Sequence, residues 1–303
     1  MSKPETRFKY RLRAFLAKGL IYLFAAPPLW FSHAVGSLIG RLGYRFGNEI
    51  RYAADINLKL CLPELDKIQH HKLLKRYLIE TGKTAMESGA MWLWSNRRIM
   101  NKVRGVSGEA LIEQARSAGK GVIFAMPHMG SWEIVALYCS RQYPMTTLYR
   151  PPNLPAMDTI IRQGRERFGA TLVPTDNRGV KALFRALGQG ETIGILPDQE
   201  PGRGQGEFAP FFGIPAYSVT LLSRLAQKTG AVVIFTYAER LPHGRGFHLH
   251  FLPAPEGIDS AELATSLAAV NLGVEQCIRR CPAQYQWGYR RFKTRPEGEA
   301  KFY

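Results

Sequence analysis

Residues 121–133 of this chain are Gly-Val-Ile-Phe-Ala-Met-Pro-His-Met-Gly-Ser-Trp-Glu. The apolar and β-branched run at 121–126 ends at a proline, which predicts a buried strand. From residue 131 to residue 139 the apolar side chains recur with helical spacing, so we predict a helix with Ser131 at its N-cap. His128 therefore falls in a strand-to-helix turn.

The positions of His128 and Glu133 predict a catalytic pair. Five residues apart on one continuous helix, the two side chains would be rotated by roughly 140° and could not meet. In a strand-to-helix turn the imidazole can fold back and share a hydrogen bond with the carboxylate. That bond would orient the imidazole and make it a base able to take a proton from a hydroxyl group. The alternative is that His128 is an ordinary packing or capping residue.

Helices and short apolar strands alternate along most of the chain. Residues 73–94 have the spacing of a long amphipathic helix. Residues 247–252 alternate apolar and polar side chains, which predicts an edge strand or a late antiparallel strand. Further strands are predicted at 121–126, 145–149, 171–173, 192–196 and 231–238. This order of elements indicates an α/β fold with a central mixed sheet flanked by helices.

Arg150 directly follows the predicted strand at 145–149. It therefore lies at the same carboxyl-terminal edge of the sheet as His128, where open α/β sheets bind ligands. A guanidinium fits a phosphate group bidentately, which favours a phosphorylated lipid or the phosphate of a pantetheine donor. Three more arginines on the next helix either extend this basic approach or lie on the surface: Arg162, Arg165 and Arg167.

A glycine-rich segment, residues 197–206, follows another predicted strand. It lacks the Gly-Lys-Ser/Thr ending of a Walker loop and does not open a helix as a dinucleotide fingerprint does, so neither ATP nor NAD is implied. Asp198 and Arg203 can shape a loop over a bound headgroup. The alternative is a simple mobile connection.

The chain is strongly basic. Its 303 residues include 41 Lys and Arg against 24 Asp and Glu, a formal charge of +17, which indicates anionic partners. Membrane surfaces, phosphorylated lipids and acidic carrier proteins fit this charge. Nucleic acid is not expected, because zinc-finger spacing, RNP-type strings and long basic tracts are absent from the sequence. The 4 cysteines are too few and too irregularly spaced for a disulfide framework, which indicates a reducing compartment.

Two pairs of residues have spacings that metal sites use, His248 with His250 and Cys277 with Cys281. The histidines point to one face of a strand, but no carboxylate or cysteine motif accompanies them, which favours a solvated strand face. The cysteines lie four apart on a predicted helix, where we expect two small packed residues rather than a disulfide or a metal pair. We therefore predict no metal site.

Residues 19–40 contain no Asp, Glu, Lys or Arg. A helix of that length can cross a bilayer core, but Pro27 and Pro28 interrupt it, so the segment forms either one bent span or two apolar helices in the interface. Basic residues on both sides favour anionic headgroups. We predict a membrane-anchoring segment at 1–46 and a catalytic domain at 47–303, without a cleaved signal peptide. The alternative is a buried helical hairpin of a soluble protein.

The string from His128 to Glu133 matches the H-x4-D/E motif of the glycerolipid acyltransferase superfamily. Three further strings follow in order: Tyr149-Arg150-Pro151, Pro197-Asp198-Gln199 and residues 286–296, Gln-Trp-Gly-Tyr-Arg-Arg-Phe-Lys-Thr-Arg-Pro. Together they resemble the late (secondary) acyltransferases of lipid A biosynthesis, from the N-terminal apolar segment to the last residues. The resemblance implies an enzyme anchored in the inner membrane and facing the cytoplasm, without a cofactor.

The reaction that we infer is direct acyl transfer from a thioester, that of an acyl carrier protein, to a hydroxyl of a 3-hydroxyacyl chain on a phosphorylated lipid A precursor. His128 would be the general base, and Glu133 would fix the imidazole tautomer. Backbone N–H groups near Gly130 and at the start of the following helix, or the Arg150 guanidinium, would stabilise the oxyanion. The candidate substrate-binding residues are Arg150, Asp198, Gly130, Trp132 and Arg203.

Two other functions stay open at this point. A thioesterase or lipid hydrolase could use the same His-Glu pair to activate water, and would release free fatty acid. A non-catalytic membrane-binding or nucleic-acid-binding protein would explain the charge, but not a histidine motif at a strand end. Ser131 is not expected to be a nucleophile, because its surroundings lack the Gly-x-Ser-x-Gly pattern.

Overall fold

The computed structural model describes residues 7–303 of the chain. Within that range the helices are α1 (Arg7–Ala25), α2 (Leu29–Phe46), α3 (Glu49–Cys61), α4 (Lys67–Leu93), α5 (Asn96–Met100), α6 (Ala110–Ser117), α7 (Trp132–Gln142), α8 (Asp158–Glu166), α9 (Asn177–Gly188), α10 (Leu221–Thr229) and α11 (Leu263–Arg280). The strands are β1 (Val103–Ser107), β2 (Val122–Ala125), β3 (Met145–Tyr149), β4 (Thr171–Pro174), β5 (Thr192–Ile195), β6 (Gly206–Phe211), β7 (Ile214–Val219), β8 (Val232–Arg240) and β9 (Phe247–Pro253).

Seven strands form one sheet in the order β1-β9-β8-β2-β5-β3-β4. The five strands from β8 to β4 are parallel to one another. β9 runs antiparallel to β8, and β1 runs parallel to β9. The predicted α/β fold with a central mixed sheet flanked by helices is therefore confirmed. The five strands predicted between residues 121 and 238 correspond to β2, β3, β4, β5 and β8, apart from small differences at their ends.

Strand β2 lies in the middle of the sheet, and all four of its residues are buried. Val122 and Phe124 belong to the apolar cluster on one face, and Ile123 and Ala125 belong to the cluster on the other. A parallel strand that is covered on both faces has no polar side, which explains the unbroken apolar run in the sequence. The turn after β2 therefore starts from a fully buried strand in the middle of the sheet.

Two features of the fold are not expected from the sequence patterns. The antiparallel strand predicted at 247–252 is confirmed as β9, but it does not lie at the edge, because β1 pairs with its outer side. β6 and β7 form a separate antiparallel hairpin in which Pro210 pairs with Pro215. Prolines argue against strands in a sequence, since they cannot donate to a ladder.

The N-terminal helices pack closely on α4. The predicted break at Pro27 and Pro28 is confirmed, since α1 ends before these prolines and α2 begins after them. Gly36 and Gly40 let the α2 backbone touch α4: an added Cβ would lie 2.6 Å from the Gly82 oxygen at Gly36 and 2.3 Å from the Leu78 oxygen at Gly40. Within residues 7–303, no helix combines the length and the apolar character that a membrane span requires.

Candidate active site

Two neighbouring segments hold the turn between β2 and α7. Gly130 has φ +57°, and its N–H donates to the Gln284 carbonyl at 2.9 Å. A Cβ at this position would lie 1.8 Å from the Ala238 oxygen, so only glycine fits. The Gln286 N–H donates to the carbonyl of His128 at 3.0 Å. The C-terminal segment and β8 thus fix the backbone on both sides of the histidine.

The carboxylate beside His128 is that of Asp198. Asp198 follows β5, the neighbour of β2, and its side chain is 1% exposed. The Nδ1 atom of His128 lies 2.8 Å from Oδ1, and the backbone N–H of His128 donates to Oδ2 at 2.9 Å. One carboxylate therefore holds both the ring and the backbone of the histidine.

The ionisation of Asp198 sets the tautomer of His128. Burial alone would raise the pKa of this carboxyl, but the charge of His128 and the hydrogen bonds from its ring and backbone outweigh burial, and the pKa is lowered. An ionised carboxylate only accepts hydrogen bonds, so Nδ1 of His128 carries the hydrogen. Nε2 is then the unprotonated nitrogen that can act as a base.

The predicted hydrogen bond between His128 and Glu133 is wrong. Glu133 lies in the first turn of α7 and accepts two hydrogen bonds from Arg165 of α8, one of them from Nε at 3.0 Å. Burial lowers the pKa of Arg165, but the charge and hydrogen bonds of Glu133 outweigh it and raise the pKa. The imidazole turns away from the helix because the strand order brings Asp198 next to it.

A cavity of about 250 Å³ opens beside His128. Most of its wall is apolar: Met126, Ala136, Leu137, Met145, Leu148, Leu172 and Leu196. Glu133, Arg150, Arg165 and Trp132 also line it, and Arg150 is exposed. The ring of Trp132 meets that of His128 edge to face, with centroids 5.2 Å apart. The structure therefore brings four of the predicted site residues together: His128, Glu133, Trp132 and Arg150.

Other predicted site residues have different places. The N–H groups of Gly130 and Ser131 donate to the carbonyls of Gln284 and Ala238, so neither of these two is free to contact an oxyanion. Ser131 occupies the N-cap position of α7 without a side-chain capping bond. Arg203 lies in an exposed turn before β6 and is not among the residues that line the cavity.

Of the three arginines that could either extend the basic approach or lie on the surface, only Arg165 lines the cavity. Arg162 pairs with Glu166 one turn further along α8, at 2.9 Å. Arg167 donates to backbone carbonyls at the end of α4. These two arginines therefore stabilise the helices around the site, and the basic approach is narrower than the sequence suggests.

Sequence analysis did not identify a buried ion cluster behind the catalytic turn. Arg240 at the end of β8 donates to Glu87 and Glu80 of α4, to Thr84, and at 3.2 Å to the carbonyl of Gly130. Glu87 also lies 3.0 Å from Nε2 of His33 on α2. A charged residue within an apolar strand was the only sign of this cluster in the sequence.

The two histidines contact ordinary hydrogen-bonding partners, and the two cysteines are free. Nε2 of His248 lies 2.7 Å from the Ser107 hydroxyl, and Nε2 of His250 lies 3.1 Å from Glu239. Cys277 and Cys281 are free thiols, and burial raises the pKa of each to about 12. Within residues 7–303 no group of three or more His, Cys, Asp or Glu side chains could hold a metal ion.

Comparison with known proteins decides the family. Residues 2–294 match the family model described as bacterial lipid A biosynthesis acyltransferase. The chain belongs to this family. The match confirms the resemblance drawn from the four sequence strings, and it makes the protein an acyltransferase of lipid A biosynthesis. A lipid A precursor is therefore its substrate.

Characterised relatives in Escherichia coli (strain K12) differ in the acyl group that their names state. The chain is 32% identical to a lipid A biosynthesis lauroyltransferase over 93% of its own length and 92% of the relative. It is 30% identical to a palmitoleoyltransferase, over 94% and 92% of the two chains, and 26% identical to a myristoyltransferase, over 92% and 86%. These levels of identity do not single out one acyl group for this acyltransferase.

Proposed function

We propose that the protein transfers a fatty acyl chain from acyl carrier protein to the hydroxyl of a 3-hydroxyacyl chain on a lipid A precursor, with His128 as the general base. The observation that supports this proposal most directly is the His128–Asp198 pair at the wall of an apolar cavity. The carboxylate holds the imidazole in the tautomer that leaves Nε2 free to accept a proton.

The proposed step needs no group beyond the two substrates and this pair. Nε2 of His128 takes the proton of the acceptor hydroxyl as its oxygen attacks the thioester carbon. The tetrahedral intermediate collapses, an ester C–O bond replaces the C–S bond, and the departing thiolate takes the proton from the imidazolium. Asp198 stabilises the imidazolium while it exists, as the carboxylate of a catalytic triad does.

The apolar cavity fits the alkyl chain of the donor. Its wall consists mainly of leucine, methionine and alanine side chains, which can bury an unbranched alkyl chain in apolar contact. Arg150 is exposed at this cavity and makes no side-chain hydrogen bond within residues 7–303. Its guanidinium is therefore available for a phosphate of the pantetheine arm or of the lipid.

The test uses the purified full-length protein with acyl carrier protein thioesters of several chain lengths and a lipid A precursor. We expect mass spectrometry to show the lipid gaining one acyl group as the thioester is consumed. A precursor that lacks the 3-hydroxyl group is the matched control and should stay unmodified. Unchanged lipid together with free fatty acid would support the alternative hydrolase and overturn the proposed transfer.

Substitution of Arg150 is expected to weaken substrate capture at every salt concentration. Arg150→Ala removes a specific phosphate contact, so its kcat/KM should fall even at low salt. Arg150→Lys keeps the charge without the planar fork and should recover only part of the activity. Non-specific attraction should instead fade as the Debye length shrinks from about 10 Å at 0.1 M to about 3 Å at 1 M salt. Equal kcat/KM for Arg150→Ala and wild type throughout a salt series would remove Arg150 from the site.

We also propose that α1 and α2 bind the cytoplasmic surface of the inner membrane. Their side away from α4 exposes a set of large apolar residues: Leu12, Phe15, Leu16, Leu20, Leu23, Trp30, Phe31, Leu38, Ile39, Leu42 and Phe46. Exposed basic residues accompany them: Lys9, Arg11, Arg13, Lys18, Arg41 and Arg45. Apolar side chains with flanking cations are typical of helices that lie in the interface of an anionic bilayer.

Removing one apolar side chain from this surface is expected to weaken membrane binding. Phe15 is 74% exposed, and Phe15→Ser should lower partitioning onto anionic phospholipid vesicles by roughly 10- to 150-fold, because burial of a Phe side chain contributes roughly 1.5–3 kcal/mol. Leu272 of α11 is 45% exposed and provides the matched control, since Leu272→Ser should bind like wild type. Vesicle co-sedimentation gives the measurement. Equal partitioning of all three proteins would contradict a membrane role for α1 and α2.

A further inference from the structure

A second cavity, of about 220 Å³, also borders His128. Trp132 lines both this cavity and the apolar one, and its ring rests on the histidine. The second cavity lies between α4 and the C-terminal segment that holds the catalytic turn. His128 is therefore reached from two chambers, with the Trp132 ring as a shared wall.

The two chambers differ in the kind of polar side chain that lines them, since the first has Glu133, Arg150 and Arg165. The polar residues of the second chamber are Tyr77, Glu80, Thr81, Thr84, Gln284 and Gln286. Glu80 is paired with Lys83 and Arg240, so its charge is already balanced. The groups left for a ligand are therefore neutral hydrogen-bonding groups rather than a net charge.

Two neutral groups in this chamber retain hydrogen-bonding capacity. The Gln286 amide oxygen accepts from Gln199 at 2.9 Å, and its NH₂ group has no acceptor within residues 7–303. The Thr81 hydroxyl lies beside the hydroxyl of Tyr77, which accepts the Gly288 N–H at 2.7 Å. A hydroxyl has one donor and two acceptor sites, so Thr81 can still bind a ligand oxygen or N–H.

A plain alkyl chain would leave the hydrogen bonds of these two groups unmade. It would cover the Gln286 amide and the Thr81 hydroxyl without replacing their hydrogen bonds to water, which disfavours binding by roughly 5- to 150-fold for each group. A hydroxyacyl segment with its amide or ester carbonyl supplies those hydrogen bonds.

We infer that the second chamber binds the hydroxyl-bearing segment of the acceptor lipid, and that Thr81 and Gln286 determine acceptor recognition. This inference rests on the proposed transfer reaction. The donor chain occupies the apolar chamber, the acceptor hydroxyl approaches His128 from the α4 side, and Trp132 keeps the two chains apart until they meet at Nε2.

The test separates acceptor recognition from donor recognition. Thr81→Val keeps the shape and removes the hydroxyl, so the KM for the lipid acceptor should rise by about 10-fold. The relative kcat/KM values for donors of different chain length should stay as in wild type. Thr81→Ser restores the hydroxyl and should restore the acceptor KM. Gln286→Met independently removes a hydrogen-bonding side chain of the second chamber and should also raise the KM for the lipid acceptor.

The matched variant on the other side of Trp132 is Ala136→Leu, which fills part of the apolar chamber. It should shift donor preference toward shorter chains and leave the acceptor KM unchanged. The inference is overturned if Thr81→Val and Gln286→Met shift donor chain-length preference, or if both leave the acceptor KM unchanged. Failure of the proposed function has a different signature, since the wild-type protein itself would then release fatty acid and leave the lipid unmodified.

Discussion

His128→Ala is expected to lower the rate of acyl transfer by about 100- to 10,000-fold, the usual contribution of a general base. The fold should persist, because the backbone of the turn donates to the Gln284 carbonyl and accepts from the Gln286 N–H, and neither bond involves the imidazole. Turnover at saturating substrate concentrations gives the rate, and circular dichroism checks the fold. Near-normal turnover by a folded His128→Ala protein would contradict the proposed mechanism.

Asp198→Asn tests the partner that the structure assigns. The amide is isosteric with the carboxylate but can no longer stabilise an imidazolium or fix its tautomer, so we expect a loss of similar size to that of His128→Ala. The double variant should be little worse than the worse single one, because residues that act as a unit are not additive. Glu133→Ala should also lower activity, through the loss of the contact that holds Arg165 in the cavity wall.

Arg240→Met is expected to lower the free energy of unfolding by about 3–5 kcal/mol, since it leaves a buried carboxylate without its counter-ion. Glu87 is 2% exposed, and its hydrogen bonds to Arg240 include one of 2.9 Å. Urea unfolding followed by circular dichroism measures the loss. Combining Arg240→Met with Glu87→Leu should recover much of it, because no uncompensated Glu87 charge is then buried. A stability of Arg240→Met equal to that of wild type would contradict a structural role for the cluster.

The ion pair between Glu87 and Arg240 also makes the free energy of unfolding depend on pH. Burial would raise the pKa of Glu87, but the charge of Arg240 and hydrogen bonds from Arg240 and His33 outweigh burial and lower it. A carboxyl whose pKa is lower in the folded state stabilises the fold above its ordinary value of 4.5, and that contribution disappears as the pH falls through the folded-state pKa. The free energy of unfolding should therefore decline more steeply below pH 4.5 in wild type than in Glu87→Gln.

Local signals predicted the part of the fold on which the site is built. The run at 121–126 identified β2, because a strand covered on both faces is apolar throughout, and Pro127 marked its end. The spacing that followed identified α7 and placed His128 in the turn. The strand, its end and the following helix depend on neighbouring residues, so they can be predicted from the local sequence.

The partner of His128 could not be found in this way. Asp198 lies 70 residues further along the chain and meets the histidine only because β5 pairs with β2. Both residues were predicted as members of the site. Their contact was not predicted, because strand order depends on the whole sheet and not on the residues near each strand. The close packing of Gly36 on Gly82 is similar, since an apolar run predicts a buried or lipid-facing helix without giving its partner.

The bonds around Gly130 also bear on the order in which the chain is made. The Gly130 N–H donates to the Gln284 carbonyl, and the His128 carbonyl accepts from the Gln286 N–H. The helices α1 and α2, by contrast, both pack on α4, and all three helices lie within residues 7–93. Synthesis proceeds from the N-terminus, so the helices with the exposed apolar surface can assemble while most of the sheet is still unmade. The bonds that join this turn to Gln284 and Gln286 form only after those residues have emerged, so a chain interrupted before them would have the apolar surface without these bonds.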